Sequence, residues 1–138
     1  MIVTTPIIHI LDIDHIQLDV ANIEESYEFY NRVFGFEIKE VGIRAFVRWM
    51  IIGVPSKLYL CMHEFSDGRG VENKGLEITH FGILVQDFDN VRSQLHQHNV
   101  KLFPDYEVQY RSSRSVYFLD PNGYKVEISE HVGGGIDA

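Results

Sequence analysis

The chain has 138 residues, a formal net charge of −8 at pH 7 and a single cysteine, Cys61. At about 100–200 residues per domain, this length predicts one domain over residues 1–138. The order of elements described below predicts the α+β class. The acidic balance argues against nucleic acids and membranes as partners, because both attract basic surfaces. One cysteine excludes an intrachain disulfide and favours a cytoplasmic location, and the N-terminal residues show no signal-peptide or membrane-span pattern.

The first half of the chain predicts a β-α-β-β-β unit over residues 12–64. Apolar and polar side chains alternate from residue 13 to residue 20, as in a half-buried strand. Asn22 stands at the N-cap of a helix with apolar residues at helical spacing, and Gly35 suits the left-handed end of that helix. Three strand-like runs follow at residues 36–41, 43–52 and 57–63, with breaks predicted at Gly42 and at residues 53–56.

The same order of elements returns over residues 77–131, after a polar, glycine-rich linker at 65–76. A strand at 78–85 precedes a helix that Asp87 or Asp89 caps, and Asn99 takes the place that Gly35 has in the first half. Strand-like runs at 100–103, 115–119 and 124–131 complete the second unit, with an irregular connection at 104–113. We therefore interpret the chain as an internal repeat of two β-α-β-β-β modules.

Aligning the two halves places three side chains of metal-ligand type at matched positions. His15 aligns with His80, and Tyr59 aligns with Glu127 in the last strand of each half. If the curved modules face one another, these four side chains converge. Two imidazoles and one carboxylate suit several divalent ions, namely Fe²⁺, Mn²⁺, Zn²⁺ or Ni²⁺, and leave coordination positions open for a substrate.

Three segments carry a resemblance to a known family. They are Asp14-His-Ile-Gln-Leu18, Thr79-His-Phe-Gly-Ile83 and the closing run Tyr117-Phe-Leu-Asp-Pro-Asn-Gly-Tyr-Lys-Val-Glu127. Together they resemble the vicinal oxygen chelate superfamily, which includes glyoxalase I, bleomycin-resistance proteins, fosfomycin-resistance enzymes and extradiol dioxygenases. The resemblance implies paired modules in a curved, barrel-like mixed sheet with helices outside, a divalent metal held by His15, His80 and Glu127, a small-molecule substrate and a homodimer. Whether the cavity closes within one chain or across two stays open.

The resemblance leaves several chemistries in competition. Tyr59 stands where glyoxalases carry a fourth ligand, and a phenol is a poor substitute for a carboxylate base. Gln17 replaces the threonine usual in fosfomycin-resistance transferases, and their arginine beyond the last strand has no counterpart. Extradiol dioxygenases have a tyrosine ten residues before the glutamate, as Tyr117 is here, and an acid/base histidine for which His63 is the candidate.

We therefore favour extradiol-dioxygenase-like chemistry slightly over thiol transfer or glyoxalase chemistry. Tyr117 and His63 are the candidate catalytic residues. The candidate substrate-binding residues are Tyr59, Gln17, Trp49 and Arg114. The alternative is a metal-free module that sequesters a small molecule, as bleomycin-resistance proteins do.

Overall fold

The structure is a computed structural model that describes residues 13–65, 78–110 and 112–131. The predicted linker therefore lies almost wholly outside the described residues. The elements in chain order are β1 (Ile16–Val20), α1 (Ile23–Phe34), β2 (Glu37–Arg44), β3 (Val47–Val54), β4 (Leu58–Glu64), β5 (His80–Leu84), α2 (Phe88–Gln97), β6 (Val108–Gln109), β7 (Arg114–Leu119) and β8 (Lys125–Ser129). Neither helix is long and apolar enough to cross a membrane.

The strands form two four-stranded mixed sheets with the same internal order. Sheet A has the order β1-β4-β3-β2 and sheet B has the order β5-β8-β7-β6. In each sheet the first and last strands of the unit pair in parallel, and the other neighbours are antiparallel. This arrangement confirms the predicted α+β fold class.

The helix ends form where the sequence predicts them. The Asn22 side chain accepts a hydrogen bond of 2.8 Å from the Glu25 backbone N–H, which caps α1. Gly35 ends α1 with a left-handed φ of 72°. In the second unit Asp87, rather than Asp89, caps α2, and Asn99 has a φ of 60°. Local polar chemistry is therefore enough to position both helices.

Two strand boundaries differ from the prediction. The β2–β3 hairpin turns at Ala45 and Phe46, both with positive φ, and not at Gly42, which lies within β2. The glycine is needed because the Trp49 ring packs on it: a Cβ at this position would lie 2.4 Å from Cζ2 of that ring. The predicted strand at 100–103 is reduced to one bridge between Leu102 and Phe118, while β6 forms inside the segment predicted to be irregular.

The helix α1 joins the hydrophobic clusters of the two sheets. Phe29 and Phe34 contact the cluster of sheet A and the cluster of sheet B. The buried Tyr30 hydroxyl donates a hydrogen bond of 2.9 Å to Asp120, in the turn before β8. The Tyr124 hydroxyl donates a bond of 2.7 Å to the Asp19 carbonyl in β1. These contacts fix the two units against each other on the side that carries the helices.

The strand period then places the polar residues of each sheet on the face away from this core. Leu60 and Met62 of β4 are fully buried, whereas Cys61 and His63 between and after them are only partly buried. In β8, Val126 and Ile128 are buried, and Glu127 lies on the opposite face. We call these outward faces the open face of sheet A and the open face of sheet B.

Candidate metal centre

The open face of sheet B brings His80 and Glu127 into direct contact. His80 begins β5, and Glu127 lies in the adjacent strand β8. The His80 Nε2 is 3.0 Å from the Glu127 Oε1. The other ring nitrogen, Nδ1, is 2.9 Å from the Thr79 hydroxyl, so both nitrogens of the imidazole are oriented. The His80 side chain is 35% exposed and that of Glu127 is 16% exposed, so the pair is accessible from the open face.

Two serine hydroxyls hold the second oxygen of the Glu127 carboxylate. Ser115 donates a bond of 2.7 Å and Ser129 one of 3.0 Å to Oε2. Burial raises the pKa of Glu127, but the bonds from the two serines and from His80 outweigh it and hold the pKa below its usual value. The group is therefore an oriented anion that can serve as a metal ligand, with its second oxygen fixed by outer hydrogen bonds.

Tyr117 and Lys125 surround this pair. Tyr117 pairs with Glu127 in the strand register, and its ring lies edge-on to His80 at a centroid distance of 5.7 Å. Its hydroxyl is hydrogen-bonded to the hydroxyl of Tyr110. Burial and this bond raise the pKa of Tyr117, so the phenol stays protonated at neutral pH. The Lys125 ammonium lies 4.7 Å from the centre of the Tyr117 ring and makes no ion pair with a described residue.

His15 lies on the other sheet and is not joined to this pair within one chain. Its Nδ1 is 2.7 Å from the Asp14 carboxylate, and its side chain is 48% exposed. It shares a small cavity with Tyr59 and Cys61 of β4. Among the described residues, no three His, Cys, Asp or Glu side chains are close enough to hold one ion. A single chain thus brings together two of the three predicted ligands.

The strand register also corrects the alignment of the two halves. In sheet A, Ile16 pairs with Leu60, and in sheet B the corresponding Phe81 pairs with Val126. With His15 matched to His80, the residue of the first half that aligns with Glu127 is therefore Cys61. The prediction that Tyr59 aligns with Glu127 is wrong by two residues, because similar alternation in both strands allowed a slip of one full strand period.

The remaining predicted residues divide between the two sheets. Gln17 and Trp49 lie in the same open face as His63, because Gln17 pairs with Cys61 and Trp49 with His63. Arg114 precedes Ser115 in β7 and therefore lies on the opposite face of the strand from Glu127.

The guanidinium of Arg114 is held on that opposite face. It stacks over Phe88 and is hydrogen-bonded to the carboxylates of Asp89 and Glu130. The pKa of Arg114 is raised by these two bonds. This side chain therefore supports the α2 side of the domain and is not brought to the candidate site.

Sequence reasoning missed Lys125, Ser115 and Ser129 as residues of the site. The signal was available, because Lys125 and Ser129 stand two residues before and after Glu127 and so share its face. Ser115 is two residues before Tyr117 in the neighbouring strand.

The sequence also matches known proteins across most of its length. Residues 12–128 match the model of the family described as "Glyoxalase/Bleomycin resistance protein/Dioxygenase superfamily". The chain belongs to this family. It is the vicinal oxygen chelate superfamily, so the resemblance inferred from the three motifs is confirmed.

Individual relatives are distant in sequence but match most of the chain. A "Metallothiol transferase FosB" from Staphylococcus epidermidis is 29% identical over 123 residues, covering 88% of this chain and 83% of the relative. A "Glutathione transferase FosA" from Serratia marcescens is 25% identical over 125 residues, covering 88% and 80%. Among solved structures, a fosfomycin resistance protein FosX from Listeria monocytogenes, complexed with Mn(II) and sulfate ion, has a TM-score of 0.67 and 16% identity, and covers 94% of this chain and 100% of that chain.

Proposed function

We propose that this protein is a divalent-metal-dependent enzyme that transfers a thiol to a small, anionic, oxygen-bearing substrate. The observation that carries the proposal is the 3.0 Å contact between His80 and Glu127, with the carboxylate oriented by two hydroxyls on an accessible face. Similarity to the metallothiol and glutathione transferases supports this reaction class over the others in the family.

The residues present fit a divalent metal. One imidazole and one carboxylate are already adjacent, and His80 and Glu127 each have a second atom fixed by a hydroxyl, as metal ligands usually do. His80, Glu127 and His15 would hold the ion. When bound, it would polarise an oxygen of the substrate as a Lewis acid. These ligand types serve Fe²⁺, Mn²⁺, Zn²⁺ and Ni²⁺, so the ion is proposed only as divalent.

The side chains around the pair suit an anionic substrate. The Lys125 ammonium has no carboxylate partner among the described residues and stands beside the Tyr117 ring, so it can neutralise an oxyanion. The protonated hydroxyl of Tyr117 can donate a hydrogen bond to the same group. In the transfer itself, a bond forms between the thiol sulfur and a substrate carbon as a carbon–oxygen bond breaks, and the thiol proton passes to the released oxygen.

A second copy of the chain would complete the site. His15 lies on the open face of sheet A, and no third ligand joins His80 and Glu127 among the described residues. A two-fold dimer in which sheet A of one copy faces sheet B of the other brings His15 to the ion and forms two equivalent sites. The predicted homodimer is thus part of the proposal.

Mixing two inactive variants tests this arrangement. His15→Ala and His80→Ala should each abolish Mn²⁺ binding in equilibrium dialysis. After unfolding and refolding together in equal amounts, they should recover about one quarter of the sites, because half of the random dimers are mixed and each has one intact site. A mixture of His80→Ala with Glu127→Gln is the matched control and should recover none, since both defects lie in the same sheet. No recovery in the first mixture contradicts the shared site.

The reaction class is tested on protein loaded with Mn²⁺. We expect the conjugate of fosfomycin with glutathione or cysteine to form, and its formation to be lost in Glu127→Gln. Absence of any conjugate across a panel of thiols and small oxyanionic epoxides contradicts thiol transfer. If the loaded protein holds no stoichiometric metal, the proposal of a metal-dependent enzyme is contradicted and a metal-free small-molecule binder is favoured.

Extradiol ring cleavage is the second candidate. The edge-on position of Tyr117 beside His80 favours it, since that phenol can donate a hydrogen bond to a bound catechol. His63, the proposed acid/base histidine, lies on the other sheet and would also come from the second copy. Protein loaded anaerobically with Fe²⁺ and then exposed to oxygen with a catechol panel should form a yellow product. No ring-cleaved product from any catechol contradicts this candidate.

A further inference from the structure

The open face of sheet A carries a pocket that has no assigned role. Its volume is about 300 Å³, the lower end of the range for small-molecule sites. It spans the three strands β2, β3 and β4, so its walls are set by strand pairing. The lining residues are Glu40, Arg44, Trp49, Ile51, Cys61 and His63.

The aromatic wall of the pocket is rigidly seated. The indole of Trp49, the single tryptophan of the chain, lies against the backbone of Gly42, where any Cβ would collide with it. One face of the ring is thereby taken up by the strand, and Trp49 also lines the pocket. Ile51 and Cys61 are cross-strand neighbours and supply an apolar floor. A flat, apolar group can pack against such a surface at little entropic cost.

The edge strand β2 carries two charged residues of the pocket, Glu40 and Arg44. Arg44 makes no hydrogen bond or ion pair with a described residue. Its charge acts on the Cys61 thiol in the pocket: burial raises the pKa of that thiol, and the nearby guanidinium opposes the shift. Glu40 lies on the same strand face but four residues away, roughly 13 Å along β2. The Arg44 end is thus the cationic end of the pocket.

We propose that this pocket binds an aromatic carboxylate or a related aromatic oxyanion, with the ring on Trp49 and the anionic group on the guanidinium of Arg44. Arginine presents a planar fork that matches such oxygens, and none of the described carboxylates is paired with Arg44. The pocket shares Ile51 and Cys61 with the cavity that His15 lines. The role of the bound molecule rests on the proposed function: next to a metal site that includes His15, the pocket would hold the organic part of a substrate or co-substrate. Binding itself needs neither metal nor catalysis.

The single tryptophan makes the test direct. Full-length protein is freed of metal with EDTA, and Trp49 fluorescence is titrated with benzoate, with benzyl alcohol as the neutral isostere and with acetate as the small anion. We expect saturable quenching by benzoate and at least about tenfold weaker binding of the other two, because each lacks one of the two contacts. The indole N–H cross-peak of Trp49 in an ¹⁵N-labelled sample should shift with the same midpoint.

Two arginine variants locate the anion. Arg44→Met should weaken benzoate binding by about tenfold or more. Arg48→Met is the matched control, because Arg48 is in the same hairpin but on the opposite face, where it pairs with Glu64 at 3.2 Å. It should leave the affinity unchanged. Gly42→Ala should displace the indole, shift its emission and weaken benzoate in parallel.

Three outcomes would overturn the inference: no saturable quenching by benzoate, equal binding of benzoate and benzyl alcohol, or equal losses in the two arginine variants. These outcomes are independent of the metal dialysis that tests the shared site. Conversely, if benzoate binding depends on Arg44 in a protein that takes up no metal, the proposed pocket is supported and the proposed metal-dependent enzyme is contradicted.

Discussion

The bond between Tyr30 and Asp120 ties the two units together, and its removal has a calculable cost. Tyr30 is fully buried in α1, and Asp120 is 5% exposed in the turn before β8. The Asp120 Oδ1 accepts backbone N–H groups of Asn122 and Tyr124, at 2.8 and 2.9 Å. The Oδ2 accepts the Tyr30 hydroxyl, at 2.9 Å. Tyr30→Phe therefore removes one hydrogen-bond donor from a buried carboxylate.

A hydrogen bond to a charged group contributes about 1.5–3 kcal/mol, so we expect Tyr30→Phe to lower the free energy of unfolding by about 2 kcal/mol at pH 7. The loss should depend on pH. Burial raises the pKa of Asp120, and the tyrosine is one of the donors that oppose this. A raised carboxyl pKa means that Asp120 favours folding most below its unfolded pKa, and this contribution is lost as the pH rises through the folded pKa. Because the phenol stabilises the charged form, the cost of its removal should fall toward about 1 kcal/mol once Asp120 is protonated.

Urea unfolding at pH 7 and at pH 4.5, at one fixed protein concentration, measures both effects. The expected loss at pH 7 corresponds to a fall in Tm of roughly 5–10 °C. Tyr27→Phe is the matched control: Tyr27 is also in α1 and packs on the core, but its hydroxyl makes no bond to a described residue. A loss equal to that of Tyr27→Phe, or one that grows at acidic pH, refutes the reasoning.

Three further substitutions test other parts of the structure. Ser115→Ala should weaken Mn²⁺ binding by about tenfold, because it removes the shorter of the two hydroxyl bonds that orient the Glu127 carboxylate, whereas the buried Ser113→Ala should not; equal effects in dialysis contradict this. Lys125→Met should weaken sulfate binding to the Mn²⁺-loaded protein by about tenfold in calorimetry, and an unchanged affinity would exclude Lys125 as an anion contact. Gly35→Ala should cost about 1 kcal/mol in urea unfolding, because alanine resists the φ of 72°; no loss would mean that the end of α1 rearranges.

Local features were predictable because their causes lie within a few residues. The cap at Asn22 and the left-handed Gly35 follow from side-chain and backbone chemistry inside one helical turn. The alternation around Glu127 predicted its exposure on one face of β8. The prediction of a break at Gly42 was wrong because the role of this glycine depends on Trp49, which lies next to it only once β2 and β3 have paired.

The sequence by itself determined the order of strands and helices, the family and the candidate ligands His80 and Glu127, because strand period and short motifs encode them. Only the tertiary structure decided the neighbours. Strand pairing shows that Cys61, not Tyr59, is the residue of the first half that aligns with Glu127. Asp89 of α2 accepts a hydrogen bond from Arg114 and holds it away from the candidate site. The tertiary structure also places His15 beside sheet A, away from His80 and Glu127. The local pattern of a strand cannot predict this, because it does not specify which other sheet its polar face will approach.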